Sequence, residues 1–265
     1  MTIAILGAGA MGEALLAGLL KAGKSTRDVV VGEKRTARAD ELRERYGIEV
    51  VSNVEAVGQA SVVVLVVKPN DVAGLVDEIA SVLTTDHLVV SVAAGVPTSS
   101  IEQRLPGGVP VIRAMPNTPA LIGEGMAAVS AGAAATDAHL ATAIEVLGAS
   151  GRVVTVPEHL QNVVTGVSGS GPAYVFYLVE AMVEGGVQAG LPRDVATDLV
   201  VQTVYGAATL LRDTDASATE LRERVTSPAG TTAAGLRALD DGGVRASVLA
   251  AVEAARDRAA ALSDA

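Results

Sequence analysis

The 265-residue chain has no cysteine and no tryptophan, and only 2% of its residues are aromatic. Missing thiols exclude disulfides, thiolate metal sites and a cysteine nucleophile, and leave the redox compartment undetermined. Scarce aromatics leave no stacking platform for nucleic acid, and they oblige Ala, Val and Leu to build the core of a chain that is 49% hydrophobic. Such cores pack by close backbone approach, which suits helix-on-sheet layers and tight helical bundles. Excess positive charge is missing too. The formal charge is −10, with no basic stripe to follow a phosphate backbone. Histidine is confined to His87, His139 and His159, none with a carboxylate or second histidine at ligand spacing, so no metal site is expected. No GxSxG follows a strand, which excludes the nucleophile elbow of a serine hydrolase.

A clean membrane span is also lacking. The longest charge-free stretch, Leu160–Val179, is interrupted by Gly166, Ser168, Gly169, Ser170, Gly171 and Pro172, a run that no lipid-facing helix would carry. Ile3 already belongs to the first strand pattern, so no leader is expected. The expectation is a soluble, cytoplasmic protein with no membrane or nucleic-acid partner.

What is present is a strict alternation. Ile3–Leu6, Val29–Val31, Glu49–Val51, Ser61–Val67, Leu88–Val92 and Val111–Ala114 read as strands. Helical patterns fall between them at Met11–Ala22, Ala37–Tyr46, Val54–Ala60, Asp71–Leu83 and Ser99–Leu105. Met126–Ser130 and Arg152–Val156 add two strands around a helix near Asp137–Leu147. The order predicts an α/β fold, a Rossmann-type doubly wound parallel sheet. After Pro157 the strand signal stops, and Pro172–Ala189, Arg193–Leu211, Ala218–Val225, Thr231–Leu239 and Arg245–Leu262 all read as helices. The predicted division is a dinucleotide-binding domain over 1–158 and an all-α domain over 159–265.

The first strand runs into Gly7-Ala8-Gly9-Ala10-Met11-Gly12. In such a turn the first glycine permits the bend, the second lets backbone approach a pyrophosphate, and the third lets helix pack on strand. The helix N-terminus then offers amides to the phosphates. Glu33 follows the second strand, where an acid accepts hydrogen bonds from ribose hydroxyls and favours NAD. Lys34 and Arg35 come next and suit the extra phosphate of NADP, or form a solvated loop. Flavin is the competing dinucleotide. Val67-Lys68-Pro69, Ala93-Ala94 and Ala114–Pro119 close three later strands and suggest a crevice for the nicotinamide half. Lys68 reads as an acid or charge anchor, or equally as a surface lysine. Ser168–Tyr174 opens the helical domain with small residues that allow close approach of a ligand, or merely of another helix. Ser227–Thr232 opens a second helix with hydroxyls and free amides that suit an anionic carboxylate, or simple capping.

Read in order, these segments resemble the pyrroline-5-carboxylate reductase family. The resemblance rests on the glycine turn, Val67-Lys68-Pro69, Ser91–Val96, Arg113–Pro119, Val164–Tyr174, Gly185-Gly186-Val187, Gly190-Leu191-Pro192 and Val225–Thr232, and so covers nearly the whole chain. It implies reduction of 1-pyrroline-5-carboxylate to L-proline, with NADP(H) as preferred cofactor and NAD(H) as the other candidate. It also implies a homodimer or larger assembly through the C-terminal helices, with substrate held between one subunit's dinucleotide domain and its partner's helices. Leu6, Gly7, Ala8, Gly9, Ala10, Met11, Gly12, Glu33, Lys34, Arg35, Val67, Lys68, Pro69, Ala93 and Ala94 are then the expected cofactor residues. Asn53 matches a residue at the adenosine ribose and its 2′ phosphate. Ser227, Gly230, Thr231 and Thr232 would hold the substrate carboxylate, and Thr232 matches the threonine beside the ring nitrogen.

Two departures stand out. Ala229 replaces the first glycine of the family's SPGGTT, and Glu33 stands where many relatives carry small or polar residues. Among alternatives, a β-hydroxyacid dehydrogenase would need a lysine on the helix after the Ser168–Gly171 turn, and Pro172–Glu180 has none. A regulatory protein that binds cofactor without turnover would not need the Ser227–Thr232 motif.

Overall fold

In the computed structural model, which describes residues 1–263, the chain divides into two compact units. Met1–Ser170, together with the stretch from Glu253 onward, forms the first, and Gly171–Val252 the second.

The first unit is built on an eight-stranded sheet in the order β3-β2-β1-β4-β5-β6-β7-β8. Its strands are β1 (Ile3–Leu6), β2 (Val29–Gly32), β3 (Glu49–Val51), β4 (Val62–Leu65), β5 (Leu88–Ser91), β6 (Val111–Met115), β7 (Gly125–Ala131) and β8 (Gly151–Thr155). The helices are α1 (Ala10–Lys21), α2 (Thr36–Tyr46), α3 (Asn53–Gly58), α4 (Pro69–Ile79), α5 (Thr98–Glu102), α6 (Asp137–Gly148) and α7 (Gln161–Val164). β1, β2, β4 and β5 are buried along their full length, as continuous apolar runs covered on both faces must be. Alternate residues of each strand feed two cores. Ile3 and Ile5 pack with Leu15, Leu19, Leu42 and Val146 from α1, α2 and α6. Ala4 and Leu6 pack with Val57, Val76 and Ile101 from α3, α4 and α5. The sheet is therefore doubly wound, with its strand order reversing between β1 and β4.

Two strands depart from the parallel expectation: β7 runs antiparallel to β6, and β8, parallel to β7, shares its reversed direction. The cause is the connection. Pro116–Glu124 is a short loop with one 3₁₀ segment (Thr118–Ile122), shorter than the dozen or more residues a parallel crossover needs. A second departure concerns the Gly- and Ser-rich stretch before Pro172, which reads as a turn in sequence but folds as π-helix over Thr165–Gly169. Ser170 N–H donates to Thr165 O at 2.8 Å. The hydroxyls of Thr165 and Ser168 bond back to Gln161 and Val164 carbonyls, and Asn117 Nδ2 donates to Ser168 O at 3.0 Å.

The second unit holds α8 (Gly171–Gln188), α9 (Arg193–Arg212), α10 (Ala218–Arg224), α11 (Thr231–Asp241) and the start of α12 (Val244–Ser263). α8 and α9 form a hairpin around Gly190, whose φ of 106° only glycine takes without strain. Their shared core is small: Val183, Ala196 and Val200, flanked by Val179, Val187 and Val204. No helix among the described residues is long and apolar enough to cross a membrane.

Candidate active site

Where the strand order reverses, at the carboxyl ends of β1, β2 and β4, the first unit opens a cleft of about 720 Å³. Of the expected cofactor residues, Gly7, Ala8, Gly9, Glu33, Lys34, Arg35, Asn53, Val67 and Lys68 line it. Leu6 lies buried beneath, and Ala10, Met11 and Gly12 continue into α1 without lining the cleft. Lys68 is the residue before α4, and Pro69 is its first position, where a missing N–H costs nothing. Ala93 is buried past the end of β5, and neither it nor Ala94 lines the cleft. Ser227, Gly230, Thr231 and Thr232 belong to the second unit.

The glycine turn tests its own fit for a dinucleotide. Gly7 has φ 99°, and a Cβ there would sit 2.7 Å from Val66 O, so fold alone demands glycine. A Cβ on Gly12 would collide with the carbonyl oxygen of Gly7. Gly9 is different. Its φ of −69° suits any residue, and a Cβ would meet nothing within 4 Å. Neither backbone nor packing requires glycine at this exposed position, which leaves close approach of a ligand as its physical use. Gly9, which lines the cleft, caps α1 without a side-chain hydrogen bond, so the first amides of that helix have no capping side chain and carry the positive end of its dipole.

Around the turn lies a network that only the folded chain reveals. Ala8 N–H donates to Glu33 Oε2 at 3.2 Å, and Ala8 O accepts from Arg38 Nε at 2.8 Å. Both backbone polar groups of Ala8 are thus held from outside the turn. Arg38 also pairs with Glu13, whose other oxygen accepts from Arg45 at 2.6 Å and from Tyr46 Oη at 2.8 Å. The Arg38 hydrogen bond is the main cause that lowers the Glu13 carboxyl to about 2. Glu33 is lowered to about 2 as well, chiefly by its Arg35 side-chain bonds. Sequence reading missed Arg38, which lies 30 residues from the carbonyl that it binds. It also missed Asn70, Asp71, Gly74 and Leu75, which bring the first turns of α4 to the cleft wall.

Elsewhere the histidines do local work: His87 Nδ1 accepts from Thr84 N–H and His139 Nδ1 from Thr136 N–H. Buried Arg113 in β6 faces Glu158, whose oxygens accept from the amide and hydroxyl of Thr98 at 2.7 Å each. Burial lowers the Arg113 pKa.

In the second unit, Gly230 N–H donates to Ser227 O at 3.1 Å, closing a turn around Pro228 and Ala229. Ala229 has φ 57°, the one positive φ outside glycine among the described residues. Proline followed by a positive φ is the order of a type II turn, whose third position favours glycine. The family motif's glycine is therefore explained by backbone geometry, and this chain keeps the geometry at some strain. The turn delivers the chain to Gly230, which caps α11 without a side-chain bond and leaves the amides of Thr231 and Thr232 at the helix start.

A doubly wound sheet, a glycine-rich phosphate turn at its switch point and a separate helical unit define a dinucleotide-dependent oxidoreductase. Comparison with known proteins narrows the class. Residues 158–262 match the family model described as pyrroline-5-carboxylate reductase dimerisation, and residues 2–95 match that of coenzyme F420-dependent NADP oxidoreductases. A pyrroline-5-carboxylate reductase from Mycobacterium tuberculosis is 44% identical over 97% of this chain and 95% of its own length. The solved pyrroline-5-carboxylate reductase from Coxiella burnetii superposes with a TM-score of 0.94 at 34% identity, covering 99% of this chain and 98% of that one. A pyrroline carboxylate reductase from Plasmodium falciparum, solved with NADP bound, gives a TM-score of 0.87 at 26% identity, again over 99% and 98%. The chain belongs to the pyrroline-5-carboxylate reductase family.

Proposed function

We propose that this protein reduces 1-pyrroline-5-carboxylate to L-proline as a homodimer or a larger assembly of dimers. The observation that carries the reading is that family likeness runs through both units, at 44% identity over 97% of the chain, and takes in the Ser227–Thr232 loop as well as the glycine turn. The bound nicotinamide supplies the hydride. NADP(H) is the form that family likeness implies, and NAD(H) the form that the Glu33 carboxylate implies.

The chain's own residues position and neutralise. Gly9 and the first amides of α1 receive the diphosphate. Ser227, Gly230, Thr231 and Thr232 offer hydroxyls and backbone amides at the start of α11 to the substrate carboxylate. Thr232 hydrogen-bonds the ring nitrogen. An imine carbon is electrophilic once its nitrogen is protonated, so this reaction needs no strong general base and draws most of its rate from orientation. A site poor in histidine, cysteine and paired carboxylates is consistent with that chemistry. Pairing of two chains is supported by the second unit's surface, where Phe176, Tyr177, Leu199 and Tyr205 are all more than half exposed.

The test is a spectrophotometric assay of reduced nicotinamide with and without 1-pyrroline-5-carboxylate. Oxidation that depends on the substrate is expected, and its absence with both NADH and NADPH would remove the assignment. Thr232→Ala should cut kcat about tenfold, the value of one hydrogen bond made at the reacting ring. Cofactor affinity should stay within about twofold on the same scale.

A further inference from the structure

Three groups of this chain are candidates for the 2′ phosphate of NADP: Lys34, Arg35 and Asn53. Each already faces a carboxylate of the chain itself. Lys34 Nζ lies 2.8 Å from Glu78 Oε2. Asn53 is buried, with Nδ2 3.3 Å from both oxygens of Glu78. Arg35 forms a two-pronged pair with Glu33, Nε to Oε1 and a terminal nitrogen to Oε2, both at 3.0 Å.

Glu33 itself is fixed by the backbone. Oε1 also accepts from Arg35 N–H at 2.9 Å and Oε2 from Ala8 N–H at 3.2 Å, so four donors occupy the four lone-pair positions of one carboxylate. The four are not equally permanent. The Glu33 side chain is 6% exposed and that of Arg35 is 66% exposed, so the guanidinium is the partner free to swing away. Its departure opens one lone pair on each oxygen while the two backbone bonds hold the carboxylate in place. Two adjacent acceptor positions match the two vicinal hydroxyls of an adenosine ribose. A 2′ phosphate instead brings about −1.5 to −2 charge and acceptor oxygens toward a fixed anion.

We propose that this chain selects NADH over NADPH, and that Glu33, held by the Ala8 and Arg35 amides at the adenosine end of the cleft, makes the selection. The inference rests on the dinucleotide reading of the cleft and departs from the NADP(H) expectation that the family resemblance carries.

The test is the dissociation constant of each reduced dinucleotide without substrate, read by isothermal titration calorimetry or by the change in nicotinamide fluorescence. The unmodified protein should bind NADH at least tenfold more tightly than NADPH, about 1.4 kcal/mol. Glu33→Ser should shrink that ratio at least tenfold, mainly by tighter NADPH binding, because Arg35 is then free to pair with the phosphate. Glu33→Gln keeps an acceptor for Ala8 N–H while losing the charge, and should move the ratio in the same direction. It separates selection from damage to the turn. Equal or tighter NADPH binding by the unmodified protein would overturn the proposal, as would an unchanged ratio in two folded variants. Failure of the reductase reading looks different: both dinucleotides bind in the expected ratio, yet neither is oxidised with 1-pyrroline-5-carboxylate.

Discussion

The two units bury themselves to very different degrees. In the first, strands, helices and the sheet's two faces close on one another, and β1, β2, β4 and β5 are buried from end to end. In the second, only Val183, Ala196 and Val200 are buried across Gly171–Val252, while Phe176, Tyr177, Leu199, Tyr205 and Leu249 each expose more than half of their surface. Single exposed apolar residues are ordinary, but a helical unit with so small a core falls short of the burial that offsets chain entropy. The first unit thus holds a core of its own, and the second leaves most of its apolar surface exposed. That contrast fits a nucleotide-binding unit with its own core joined to helices that take theirs from a second copy.

Variants can probe the contrast at both ends. The largest effect is expected from Gly9→Val. Nothing lies within 4 Å of an added Cβ, so melting temperature should hold, while the dissociation constant for dinucleotide rises at least a hundredfold, about 2.7 kcal/mol. Retained binding would mean that Gly9 is not an approach point. Next comes acid stability of the first unit. Glu13 is about 2 when folded against 4.5 for the free group. A depressed carboxyl adds stability above its unfolded pKa and loses it as pH falls toward the folded one. Urea denaturation should therefore separate wild type from Glu13→Gln by up to about 3 kcal/mol at neutral pH, less whatever solvent screening removes. The gap should close between roughly pH 4.5 and 2, and a gap independent of pH would contradict the ion-pair account. The smallest effect belongs to the second unit. Ala229→Gly relieves a left-handed alanine worth about 1 kcal/mol but loosens the unfolded chain, so a rise of roughly 1–2 °C in melting temperature is expected. A fall would mean that Ala229 carries no strain.

The sheet unit was legible because its signals are local. A doubly covered strand is a continuous apolar run, and the Gly7–Gly12 spacing announces both its bend and its helix. Strand direction is not local, which is why the reversal of β7 and β8 escaped: alternation shows a strand but not which way it points. The π-helix over Thr165–Gly169 was hidden for a related reason. Glycine and serine read as a turn, and the stretch becomes helical through hydroxyls bonded to carbonyls one turn back and through Asn117 from the loop after β6. At the cleft, the glycines and Glu33 could be read from spacing, whereas the clamp of Arg38 on Ala8 links residues 30 apart and follows only from how α2 packs. The Ser227–Thr232 loop was visible as a motif. That its departing residue, Ala229, occupies the one position needing a positive φ required the backbone.

The proposed pairing of helical units between two copies is tested most directly by the mass of the active species. Sedimentation velocity on the purified chain, with reductase activity assayed across the same boundary, should give at least twice 26.6 kDa and place all turnover there. A species of one chain's mass carrying full activity with 1-pyrroline-5-carboxylate would contradict the account.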